Sequence, residues 1–373
     1  MLKNPLVWVL IVVLGLGVAG YMLSSGALNP DTKLYVAIEG EGKIAVIDTA
    51  KNKVLRNIDL SKDHDGGKLA YAPHNVQVAP DGKSVWVTAN AGSHMEHSSI
   101  VPVAHAHGEA GSGPDEVIVI NTKNDRIESR IQIGMGVHLA HVVLTPDSKT
   151  AYVTAQKEGV VYKINAESYA IEKKITAPPG SEPHGLRISS DGQSAYIAML
   201  AGKSLGILDL SRAELAQVPL SGQAVQAGVT PDGKYAFASI YDKKTLAVYD
   251  IATKKVREIK LPESSKGPIQ MYPTPDSQFV YIADQGFYFE QPEGTMVYKI
   301  DLKEGKVTAE IKAGRAPHGV VVSKDGKFVY ITNLVDGSVS VIDTAQDKEV
   351  GTILVGKEPN GVSAWSKTQG GTL

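Results

Sequence analysis

The residues in this chain best suited to hold a metal or move a proton are its ten histidines, at positions 64, 74, 94, 97, 105, 107, 138, 141, 184 and 318. Nine of them fall between residues 64 and 184, so they are not spread evenly along the 373 residues. They form two groups. His74, His184 and His318 each follow a proline at the start of an apolar run; His141 opens a similar run, and His138 precedes it by three residues. His94, His97, His105 and His107 lie with Met95 in a Gly- and Ser-rich stretch, NAGSHMEHSSIVPVAHAHGEAGSGPD, at residues 90–115. Imidazole suits copper, zinc, iron and nickel, and a nearby thioether moves the preference toward copper. The chain has no cysteine, which excludes disulfides, thiolate metal sites, iron–sulfur clusters, a catalytic thiol and covalent c-type haem attachment. His64, between Asp63 and Asp65, reads as part of a solvated loop.

The elements that must position these side chains show as a repeat. Aspartates 81, 147, 191, 232, 276 and 325 mark one turn in successive units, at spacings of 66, 44, 41, 44 and 49 residues. Each unit has an alternating apolar run, an Asp-Gly-type turn, a second run such as SVWVTAN or FVYITNL, and two further runs. An Asp-Gly turn between alternating runs is a strong hairpin signal, and four short strands in a period in the forties make a propeller blade. Residues 34–60 supply strands two to four of a further blade, and EPNGVSAWS from Glu358 supplies its first strand. The expected fold is therefore an all-β seven-bladed propeller over residues 31–368, its last blade closed by strands from both ends of the sequence. The 66-residue spacing exceeds the others by about 20, and residues 90–115 account for the excess, between strands two and three of their blade. Loops before strand one and after strand two open on the same face, so both histidine groups are expected at one mouth of the central channel.

The units resemble the YVTN repeat family: WVTAN, YVTAQ and YITNL match its core, VIDTAKNKV and VIDTAQDKEV its later strands, and PHGVVVSKDGK its blade start. The resemblance covers nearly all of residues 31–368 and implies the propeller, while leaving the function open. This propeller type is similar to nitrous oxide reductase, to the dissimilatory haem nitrite reductase and its cofactor-assembly relatives, to surface-layer proteins and to sugar lactonases. The first similarity implies copper held by a ring of histidines, although its cysteine-bearing electron-transfer domain has no counterpart here. The second implies non-covalent haem with a histidine on the propeller face.

Other features narrow the field. The net charge is −2, with 38 basic and 40 acidic residues, so nothing favours nucleic acid. Residues 6–23 are uncharged and apolar and follow Lys3, which reads as an apolar helix within a signal peptide or membrane anchor at residues 1–26. The expected location is periplasmic or otherwise extracytoplasmic, held at the inner membrane if the segment is uncleaved, with an electron-transfer or membrane protein as partner. The glycines at 15, 17 and 20 fit a dinucleotide fingerprint but lie inside that apolar run, not after a strand. No Gly-x-Ser-x-Gly, P-loop or His-Glu-x-x-His occurs. In the second long loop, residues 284–294, Phe287, Tyr288 and Phe289 could wall a planar ligand. Glu182 and Glu358, each just before a blade start, are placed to orient a histidine. Three readings follow: a metal site, copper first, formed by His74, His141 and His184, with His138, His318, His94, His97, His105 and His107 as further candidates; a non-covalent haem-binding or haem-assembly propeller; and a non-enzymatic interaction scaffold.

Overall fold

The computed structural model describes residues 30–64, 66–92, 113–289, 291–368 and 370–371. Alternating apolar and polar residues in each repeat fold into antiparallel strands, and the strands form seven radial sheets. Blades 1 to 6 are four-stranded meanders, whose inner strands are Tyr71–Val78, Leu139–Leu144, Pro183–Ile188, Ala224–Val229, Pro268–Pro273 and Pro317–Val322. In blade 7 the inner strand Pro359–Ser366 pairs with Thr32–Ile38, which continues to Lys43–Asp48 and Lys53–Asp59. Closure by the two ends of the sequence is thus as the repeat count requires. A short pair, Gly370–Gly371, extends this sheet as a fifth strand. His64 lies in a small ribbon, Lys62–His64 against Gly67–Leu69, and is half-buried rather than in a solvated loop. Among the described residues no helix is long and apolar enough to cross a membrane; residues 6–23 lie outside them.

The core sits between blades. Tyr35, Ile44 and Val46 of blade 7 pack on Val85, Val87, Ile118 and Ile120 of blade 1. Trp86, Val117 and Val119, on the other face of blade 1, pack on Val142, Val153 and Tyr162 of blade 2. Each blade is thus apolar on both faces, as a strand with neighbours on both sides must be. Outer strands such as Lys255–Lys260 face water and bury little.

Two details of the repeat shape the channel. First, every inner strand breaks register near its start: between Pro73 and Asn75, Leu139 and Val142, Pro183 and Leu186, and equivalently in the other blades. Bulges of this kind re-aim side chains. They release His74, Ala140 with His141, and His184 with Gly185 from the ladder, at the same end of the channel. Second, the threonine of the YVTN-like run ties blades together. Thr154 Oγ1 accepts from His141 N (2.9 Å) and donates to the His184 carbonyl of the next blade (2.7 Å). Thr88, Ser239 and Thr332 make the same bridge at their own blade junctions. Inner strands therefore approach closely. A Cβ at Gly185 would lie 1.9 Å from the Gln226 side chain and 2.6 Å from its Cα, so the glycine after His184 is a packing requirement.

Candidate metal centre

The bulges of blades 1, 2 and 3 deliver His74, His141 and His184 to one point. One ring nitrogen from each lies within 4.8 Å of the others, and all three side chains are buried. Ring centroids are 5.4 Å apart for His141 and His184, 5.7 Å for His74 and His184, and 6.2 Å for His74 and His141. Metal–imidazole bonds of about 2.0–2.1 Å need only a modest inward shift from this arrangement.

The surroundings set the rings' protons. His184 Nδ1 lies 2.9 Å from the Val225 carbonyl; donating there fixes the proton on Nδ1 and leaves Nε2 a lone pair. His74 Nδ1 is 3.6 Å from the Glu39 carboxylate and 3.2 Å from the Asn360 amide, which itself donates to Glu39. His74 Nε2 has no hydrogen-bond partner among the described residues, nor has His141 Nδ1. Orphaned buried ring nitrogens are unfavourable in a purely structural role and are what a metal site supplies. The Gln270 amide nitrogen stands 3.3 Å from His141 Nε2. Burial pushes the His141 pKa well below the usual value, and the neighbouring charges of His184, Arg187, His74 and His318 push it the same way. His141 is thus neutral, the form that binds metal.

Two further histidines border the triad. The His138 ring is 6.0 Å from that of His74, and its backbone, in a left-handed conformation at φ 55°, donates to Asp115 Oδ2. Asp115 also accepts from Ala91 N, so it joins both ends of the 90–115 insertion to the His138 loop. His318 packs edge-on against Tyr288 at 5.9 Å, and burial, aided by His74, lowers its pKa to about 3. His94, His97, His105 and His107, with Met95, lie outside the described residues.

The carboxylate beside His74 is Glu39, in the short 3-10 turn that follows the blade 7 strand Thr32–Ile38, and not one of the two acids at blade starts. Glu182 instead accepts from the Gln156 amide, and Glu358 bears with Glu39 on Tyr288, whose pKa burial drives far up. Phe287 and Tyr288 do wall a groove of about 600 Å³, together with Leu334, Leu354 and Lys357. Sequence reasoning missed Glu39, Gln270 and Thr154. Gln270 had a signal: it occupies the repeat column of His141. Glu39 had none, because it reaches the site only through ring closure.

The fold and site together define a seven-bladed propeller with a buried three-histidine cluster, able to hold a metal ion, at one end of its axial channel. The chain belongs to the YNCE-like beta-propeller family, whose model matches residues 115–369. Curated relatives include "Uncharacterized protein YncE" of Salmonella typhimurium, 26% identical over 180 residues, covering 48% of this chain and 42% of the relative. Another is "Antigen Lp49" of Leptospira interrogans, 28% identical over 177 residues, covering 43% of this chain and 38% of that protein. The chain thus matches under half the length of these relatives. Among solved structures, Kuenenia stuttgartiensis hydrazine synthase aligns with a TM-score of 0.63 at 18% identity, covering 80% of this chain and 94% of that one. Dihydro-heme d1 dehydrogenase NirN in complex with DHE aligns at 0.61 and 14% identity, covering 90% and 75%. At these identities the likeness establishes the fold alone.

Proposed function

We propose that the protein is an extracytoplasmic metal-binding propeller that takes one first-row transition-metal ion on His74, His141 and His184. The observation that carries this reading is the convergence of three buried imidazoles, two of them with an orphaned ring nitrogen. Three neutral nitrogen donors at a channel mouth leave coordination positions open for water or a substrate. Nitrogen donors rank Cu(II) above the other divalent ions, so copper is the expected occupant and one-electron chemistry the expected use. Such an ion would supply a redox or Lewis-acid centre, while Glu39, Gln270 and the Val225 carbonyl hold the rings in place. The export reading rests on residues 6–23 and an electron-transfer partner on the redox reading.

The test is elemental analysis and copper titration of the purified protein beside the His74→Ala, His141→Ala and His184→Ala variants. Near-stoichiometric copper, lost in each variant, supports the assignment. A protein that neither retains nor accepts copper or zinc overturns it. A second reading, non-covalent haem binding, draws on the NirN likeness and on the aromatic groove of Phe287 and Tyr288 beside His318. Added haem would then give a Soret band that His318→Ala weakens and His184→Ala leaves in place.

A further inference from the structure

The other end of the channel holds a second constellation. Inner strands of blades 3 to 6 and the turns after them enclose a cavity of about 340 Å³. Its walls are largely apolar, with Ile188, Val229, Met271, Pro273, Pro275 and Val322 among them. Arg187 enters from blade 3. Its Nη1 donates to the Leu186 carbonyl (2.8 Å), and its guanidinium lies over the Tyr272 ring of blade 5 at 5.8 Å. It spans blade 4 because the matching position there is Gly228. A Cβ at 228 would lie 2.0 Å from the Phe237 ring, so core packing dictates that glycine and leaves the span open.

The cation has no counter-charge. Among the described residues no carboxylate pairs with Arg187, whereas Arg130 has Glu116 and Arg315 has Asp336. Arg187 is half-buried, and burial lowers its pKa from the usual arginine value. A desolvated guanidinium normally has an acidic partner. The cavity wall contains no acid, and its second cation, Lys324, is likewise held below the usual lysine range by burial. The turn aspartates nearby are committed locally: Asp191 to Ser189, Asp232 to Thr230, Asp276 to Thr274 and Asp325 to Ser323. These bonds, and that of Ser190 to the Pro231 carbonyl, also occupy the cavity's serine and threonine hydroxyls, so Arg187, over the Tyr272 ring, is its chief charged anchor.

We propose that this cavity is a binding site for a small organic monocarboxylate, its carboxylate on the Arg187 guanidinium and its apolar body against Met271, Tyr272 and Pro273. A guanidinium presents paired donors that match a carboxylate, and the volume is in the range of small-ligand pockets. The site takes its ligand without the metal, although Arg187 is near enough to the histidine cluster to bear on the charge of His141.

The experiment is calorimetric titration of the full-length protein, in chelator, with phenylacetate, its neutral analogue phenylacetamide, and inorganic phosphate. Phenylacetate is expected to bind at one site, with the amide about 10- to 100-fold weaker, the worth of a charge-assisted hydrogen bond. Arg187→Gln should reduce phenylacetate binding to the level of the amide while the cooperative urea unfolding transition is retained, which reports on folding. Val229→Phe, which fills the cavity and keeps the guanidinium, should abolish binding as well. Absence of saturable binding, equal affinity for the amide, indifference to Arg187→Gln, or phosphate binding as tightly as phenylacetate would each overturn the proposal.

Discussion

Replacing His318 with isoleucine should remove much of the acid sensitivity of this fold. The ring is 3% exposed, and burial holds its pKa at about 3 in the folded protein against 6.5 in the unfolded chain. Between those values the unfolded chain binds the proton and the folded protein does not. The contribution to stability is therefore complete above pH 6.5 and is lost as pH falls toward 3. At 1.36 kcal/mol per unit, the loss from pH 7 to pH 4.5 is about 2.5 kcal/mol from this group alone. Isoleucine is a fair replacement because Ile269 and Val225 fill the same repeat position in blades 5 and 4. Urea unfolding in chelator, at pH 7 and pH 4.5, measures the effect. Wild type should lose about 2.5 kcal/mol more than the variant over that interval. Parallel losses in both proteins would refute the reasoning, because His318 would then have to be accessible to protons in the native state.

Thr154→Val keeps the shape but removes the hydroxyl between His141 N and the His184 carbonyl, so stability should fall by about 1–3 kcal/mol, read by urea unfolding. Copper affinity should fall at the same time, and an unchanged affinity would show that the bridge does not hold the two ligands. Glu39→Gln should weaken copper binding about 10- to 100-fold in a competition titration, the usual effect of losing a carboxylate behind a ligating histidine. Asp125→Ala leaves Lys33, 1% exposed and 3.0 Å from that carboxylate, as an unpaired buried cation. It should cost about 3–5 kcal/mol of unfolding free energy, and a loss under about 1 kcal/mol would mean that Lys33 finds water or another partner.

The turn aspartates and alternating runs were enough to count the blades, because blade geometry is local and recurs with the sequence. The place of the histidine cluster was legible for the same reason: His74 and His184 share one repeat column and His141 stands one step on, both inside the bulge. His74, His141 and His184 could be singled out because they come from consecutive blades, but what holds the other two was not legible. His318 shares the column of His184, yet it packs on Tyr288, a contact set by the 284–294 loop. His138 looked like a ligand from the loop, but its backbone carries the described bond, to Asp115. The tyrosine–valine–threonine runs advertised the fold, while the reason for the threonine, a bond to the next blade, showed only in three dimensions. Arg187 carries no signal in the sequence, because the missing counter-charge is a property of four blades together.

The pairing of Thr32–Ile38 with Pro359–Ser366 also dictates an order of events. Leu34 faces Ala364 and Lys33 faces Trp365, so these contacts wait until almost the whole described chain has been made. Until then the ring is an arc with two unpaired edges, and the Lys33–Asp125 pair sits beside the gap. The last join has the longest contact separation and should be the slow step of folding. Until the ring shuts, that arc can zip onto a second copy through its open edges. Conversely, the site inherits the latch: Glu39 and Asn360 come from opposite ends of the sequence, so the His74 environment is complete only in a protein whose ring has shut.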